Sequence, residues 1–129
     1  MSYEYPDLRY FSNNVKKYTN QRMRRGFADC DTWDFDTFLI KIIIRGLRHL
    51  ADTTHGWPQS DEFSTYESWI DYLLSLADKF ELAEKYIYDT DDYSLEHPVE
   101  EWTAREKQGR VILTEAFEEL GKHFTALWD

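Results

Sequence analysis

The chain has 129 residues, 42% hydrophobic and 31% charged, with a formal net charge of −10, a balance that suits one globular domain with its own core and excludes a disordered tail. Its strongest apolar stretch, Phe38 to Ile44, is short and interrupted by Lys41, well under the ~18 residues that a membrane span needs. The start, Met-Ser-Tyr-Glu-Tyr-Pro-Asp, has neither a basic head nor an apolar run, so no secretory signal is expected, and the single cysteine, Cys30, excludes an internal disulfide and fits a reducing cytosol.

The charge is unevenly spread. In residues 1–28, Arg9, Lys16, Lys17, Arg22, Arg24 and Arg25 face only Glu4 and Asp7, a net of +4, which leaves nine basic against twenty-three acidic residues, or −14, in 29–129. A basic arm therefore precedes an acidic body, and the body repels DNA and anionic lipid. Direct nucleic-acid binding is disfavoured unless the arm alone makes it, and basic partners are favoured.

Within the arm, Leu8, Phe11, Val15 and Tyr18 form a helical stripe that ends around Gly26, weakened by Asn13 and Asn14. A stronger helix is expected from Asp31, whose carboxylate serves as cap, with the apolar stripe Phe35, Phe38, Leu39, Ile42, Ile43, Leu47 and Leu50 buried. Gly56, before Trp57-Pro58, closes it. Ser64-Thr65-Tyr66-Glu67 has the form of a capping box, with Ser64 as cap and Glu67 reaching back. The helix it opens carries a seam of Trp69, Leu73, Leu76, Phe80, Ala83 and Ile87, in steps of four and three. The acidic run Asp89 to Asp92 reads as a loop. His97-Pro98 restarts the chain, with Val99 and Trp102 facing inward, and Leu113, Ala116, Phe117, Leu120, Phe124, Leu127 and Trp128 continuing the stripe. A helix unbroken from 98 to 128 would reach about 46 Å against about 35 Å for its predecessors, so a kink or break is expected near Gly109. The fold class that follows is all-α: a single-domain antiparallel bundle of three long helices plus a weaker N-terminal one, with 1–28 as arm and 29–129 as body.

Several patterns bear on chemistry. Glu81-x-x-Glu84 and Glu115-x-x-Glu118 place paired carboxylates on one side of a helix, an arrangement similar to helical nucleotide pyrophosphohydrolases that hold magnesium between facing acids. An acidic solvated face is the simpler reading. Asp89, Asp91 and Glu100 occupy the first, third and twelfth positions of an EF-hand loop, but Tyr93, Ser94 and Pro98 break the pattern. His49, His55, His97 and His123 lack zinc-site spacing, and His55 suits a helix C-terminus. Cys30 precedes a helix start, a place that can lower a thiol pKa, but a single cysteine without an evident base is read as inert. No nucleophile elbow, phosphate loop or dinucleotide fingerprint occurs. The twenty-two aromatic residues exceed what the seams can hide, and Tyr3, Tyr5, Tyr10, Tyr88 and Tyr93 fall in the arm or loops, where they either pin the arm to the body or offer a partner-binding patch.

The segment Arg25-Gly26-Phe27-Ala28-Asp29-Cys30-Asp31-Thr32-Trp33-Asp34-Phe35-Asp36, then Leu50-Ala51-Asp52-Thr53-Thr54-His55-Gly56-Trp57-Pro58 and the ending Phe117 to Asp129, resembles a family of small proteins encoded by bacteriophages and prophages. Relatives typically carry a basic residue where Cys30 stands here. The resemblance implies an accessory phage gene expressed in the bacterial cytoplasm rather than a reaction. In that setting a negative helical body suits the positively charged channel of a host nuclease or other nucleic-acid enzyme. The reading is a non-enzymatic, anti-CRISPR-like inhibitor with Asp89, Asp91, Asp92, Tyr88 and Tyr93 at the partner contact and no cofactor. The alternatives are a magnesium-dependent nucleotide hydrolase using Glu81, Glu84, Glu115 and Glu118, or a self-associating structural phage protein.

Overall fold

A computed structural model describes residues 14–88 and 91–128, apart from the side chains of residues 91, 92 and 94. Every regular element among these residues is helical: α1 (Val15–Arg25), α2 (Phe35–Thr53), α3 (Tyr66–Tyr88), α4 (Asp91–Glu96) and α5 (Val99–Lys122), with 3-10 turns at Asp29–Thr32 and Phe124–Ala126. The chain divides between Ile42 and Ile43 into two compact units. No described helix is long and apolar enough to cross a membrane.

In the first unit, α1 carries no acid in its opening turn and three arginines, Arg22, Arg24 and Arg25, in its last, where cations meet the negative end of the helix dipole. It stops at Gly26, whose φ of 88° only glycine adopts freely and whose N–H donates to the Arg22 carbonyl. Leu8 and Phe11 of the expected stripe lie outside the described residues. Tyr18 closes a small core with Ala28 and Cys30 and meets Trp33 edge-on at 6.2 Å.

Asp31 does not cap α2, which begins four residues later. Its carboxylate is fully buried. It accepts from Arg22 Nε at 2.9 Å and Nη2 at 2.6 Å, and from the Ala28 N–H at 2.7 Å. The spacing that suggested a cap is instead satisfied within the 3-10 turn, because a two-pronged guanidinium from α1 is a stronger partner than one helix N–H. Just outside, Asp29 engages Arg25 and Gln21. The Arg25 guanidinium, then Gln21, holds its carboxyl below the usual aspartate range.

The buried positions of α2 are Ile40, Ile44, Leu47 and Ala51, whereas Phe35, Leu39 and Ile42 are exposed. The expected stripe was therefore misplaced, sharing only Leu47 with the buried set. Apolar side chains surround this helix so fully that two stripes of three-and-four spacing exist, and periodicity alone does not choose between them.

The second unit is built on α3 against α5. The contacts Tyr72 with Glu119, Lys79 with Glu115, and Phe80 with Phe117 show the two helices running antiparallel. Five of the six expected α3 seam residues, Trp69, Leu73, Leu76, Phe80 and Ala83, are buried, joined by Ala77, while Ile87 is half-buried. The cap sits one residue later than expected, since the Ser68 N–H donates to Thr65 Oγ1 at 3.1 Å and the Thr65 N–H to Ser68 Oγ at 3.3 Å. A serine at the third helical position does here what Glu67 was expected to do. At the far end of α5, the His123 ring stands edge-on to Phe63 and Tyr72, and burial, with a hydrogen bond to the Glu119 carboxylate, pushes the Tyr72 phenol up. Val99, expected to face inward, is exposed, because the first turn of α5 extends past the α3 seam.

Gly109 does not break α5; the helix continues through it. A Cβ there would lie 2.8 Å from both Ile87 Cγ1 and Tyr86 Cβ, so the glycine marks the closest approach of α5 to α3. Gly46, in α2, is the opposite case, with open space where its Cβ would be. Gly109→Ala is therefore expected to lower stability by about 1 kcal/mol, crowding outweighing the better helix propensity. Gly46→Ala should raise it by about 0.5–1 kcal/mol. Urea midpoints of the two variants check the opposite signs; equal shifts would refute the close helix contact.

Candidate functional site

The residues where α3 ends, α4 turns and α5 begins form the most developed surface feature of the second unit. The segment after Tyr88 was expected as an acidic loop, but Asp91–Glu96 is helical, with two aspartates at the end of a helix that favours negative charge. Asp89 lies outside the described residues, and Asp91 and Asp92 occupy the first two positions of α4. Tyr88 closes α3 and is exposed.

Tyr93 is held from two directions. Its ring stacks on His97 at 3.7 Å with an interplanar angle of 3°, and the His97 Nδ1–H donates to the Tyr93 carbonyl at 2.9 Å, which sets the ring's tautomer. The Arg105 guanidinium lies 4.3 Å from the Tyr93 ring centroid and 4.7 Å from that of Tyr86, both within cation–π range. Three elements are thereby joined: Tyr86 from α3, Tyr93 from α4 and Arg105 from α5. Beside them opens a cleft of about 510 Å³, lined by Lys85, Tyr86, Tyr93, Glu101, Arg105 and Gln108 among others, within the size range of small-ligand sites.

Of the residues expected to form a partner contact, the structure thus brings Tyr93 into this cluster, whereas Tyr88, exposed at the end of α3, does not line the cleft. Arg105, Lys85 and Tyr86 carried no motif, and only the α3–α5 register fixed at Gly109 assembles them.

The paired glutamates lie elsewhere, and one of each pair, Glu81 and Glu115, is engaged with a cation. Arg48 holds Glu81 and Asp78, each at 2.9 Å, and Lys79 holds Glu115 at 3.1 Å. Among the described residues, no group of three or more His, Cys, Asp or Glu side chains is arranged to hold a metal ion. Cys30 is buried, and burial followed by the neighbouring Asp31 charge pushes its thiol up rather than down. The lowering that a helix start can cause does not occur, because the thiol lies in the small Tyr18 core, which fits an inert cysteine. Several acids of the second unit, by contrast, are exposed and form no ion pair among the described residues: Glu67 and Asp71 on α3, Glu96 on α4, and Glu100 and Glu101 on α5.

No family model, curated protein or solved structure matches this chain.

Proposed function

We propose that this chain is a phage- or prophage-encoded accessory protein that works by binding in the bacterial cytoplasm, its acidic helices docking onto a positively charged host nuclease or other nucleic-acid enzyme in the manner of an anti-CRISPR inhibitor. The scaffold for this is the all-helical fold, with α3 and α5 running antiparallel in the second unit. The observation that carries the reading is the uncompensated charge of the second unit. Glu67, Asp71, Glu96, Glu100 and Glu101 are exposed and form no ion pair among the described residues, so they remain available to a basic surface. Such charge gives association rate and specificity. Tyr88, exposed at the end of α3, with Asp89, Asp91 and Asp92 beside it in sequence, forms the expected centre of the contact, and Tyr93 orients that end of the molecule.

The test is capture from bacterial lysate at low and high salt, with competing DNA. A nucleic-acid enzyme retained at low salt, displaced by DNA, and lost on replacing Asp89, Asp91 and Asp92 with lysine supports the reading. Capture that ignores salt, or persists fully in the charge-reversed but folded variant, overturns it.

A further inference from the structure

The cleft beside α4 holds cations that the protein itself leaves unused. The second unit has nineteen acidic against eight basic residues, and four of those cations are held in ion pairs: Arg48 by Glu81 and Asp78, Lys79 by Glu115, Arg110 by Glu106 and Lys122 by Glu119. Lys85 and Arg105 are not, although Glu101 lines the same cleft and acids are abundant around them. Among the described residues neither donates a hydrogen bond to any acceptor. Arg105 is also half-buried, its guanidinium set against the Tyr86 and Tyr93 rings at 4.7 and 4.3 Å. Ring contacts engage the π-faces of a guanidinium and leave its N–H edge free to point elsewhere. A planar fork fixed in this way is pre-organised for a two-oxygen acceptor, and partial desolvation strengthens what it binds.

We propose that this cleft binds a phosphate group carried on a small molecule. Arg105 grips two phosphate oxygens in bidentate fashion, Lys85 neutralises the remaining charge, and the Gln108 amide, also on the cleft wall, is placed to meet the rest of the ligand. Two cations match a phosphate monoester, which carries about −1.5 to −2 at neutral pH, better than a single carboxylate. The volume of about 510 Å³ exceeds what one phosphate fills, so a substituted phosphate is favoured over the bare ion. The cleft shares Glu101 and Tyr93 with the proposed docking surface, but the phosphate proposal does not rest on that reading.

The experiment titrates the full chain, isotopically labelled, with inorganic phosphate and with glycerol phosphate at constant ionic strength, following the Arg105 side-chain Nε–H and the backbone amides of Lys85, Tyr86, Tyr93 and Gln108. Saturable shifts confined to these residues, with glycerol phosphate the tighter ligand, are expected. Arg105→Gln should weaken binding by about tenfold or more, and Arg105→Lys should recover only part because the fork is lost. Lys85→Gln, at an exposed position that holds up no other side chain, keeps the proposal testable if Arg105 variants loosen α4; it too should weaken binding by about tenfold. Shifts that never saturate, that match those produced by chloride, or that are identical in the folded Lys85→Gln and Arg105→Gln variants would overturn the proposal.

Discussion

Asp31→Ala is expected to destabilise the first unit by about 3–5 kcal/mol, the cost of stranding one member of a buried ion pair. The Asp31 side chain has no exposure and that of Arg22 only 17%, so neither charge can be rescued by water without unfolding the turn. The substitution also removes the acceptor of the Ala28 N–H, leaving a buried donor unsatisfied. Removing both charges with Arg22→Met and Asp31→Leu should recover much of the loss, since apolar replacement of a buried pair is often neutral, but the Ala28 donor keeps the double variant below the parent. Hydrogen exchange at the α1 amides checks this locally. Protection unchanged in Asp31→Ala would show that the pair contributes nothing to folding.

Phe80→Ala should cost the second unit about 3–5 kcal/mol, the range for emptying a fully buried aromatic site. Phe80 has no solvent exposure and meets the Phe117 ring edge-on, centroids 5.1 Å apart, so its loss removes both transfer energy and the geometry of an aromatic pair. The cavity would open between two long helices whose backbones are already pinned together at Gly109, which limits collapse. Leu82→Ala, two residues along on the exposed side of the same helix, should shift the urea midpoint little, by within about 0.5 kcal/mol. Similar losses in the two variants would mean that α3 does not bury the face described.

These two sites were unequally legible. The burial of Phe80 is visible in the sequence because the apolar residues off the α3 seam, such as Leu74 and Leu82, form no second run of steps of four and three along the helix. In α2 the same procedure misplaced the buried face, since Phe35, Leu39 and Ile42 make as good a stripe as Ile40, Ile44 and Leu47; with apolar residues all round, burial is decided by what packs against the helix. The role of Asp31 was hidden for a different reason. Its position before a helix favours a cap, and nothing local announces that Arg22, nine residues earlier, returns on the far side of a glycine turn to take it. The Arg105 cluster was least legible, because three residues from three helices meet only once the α3–α5 contact at Gly109 sets their heights. That Asp91 starts a helix rather than a loop was readable in principle from the dipole preference of paired aspartates, but the run of charge suggested solvent instead.

The buried position of Cys30 gives the molecule an internal clock. It is the one thiol in the sequence, it is sealed in beneath Tyr18 and Ala28, and its surroundings suppress the thiolate that alkylating reagents attack. Modification must therefore wait for α1 to lift away from the turn that follows it, and the rate at which a maleimide consumes the thiol measures how often that happens in the otherwise intact protein.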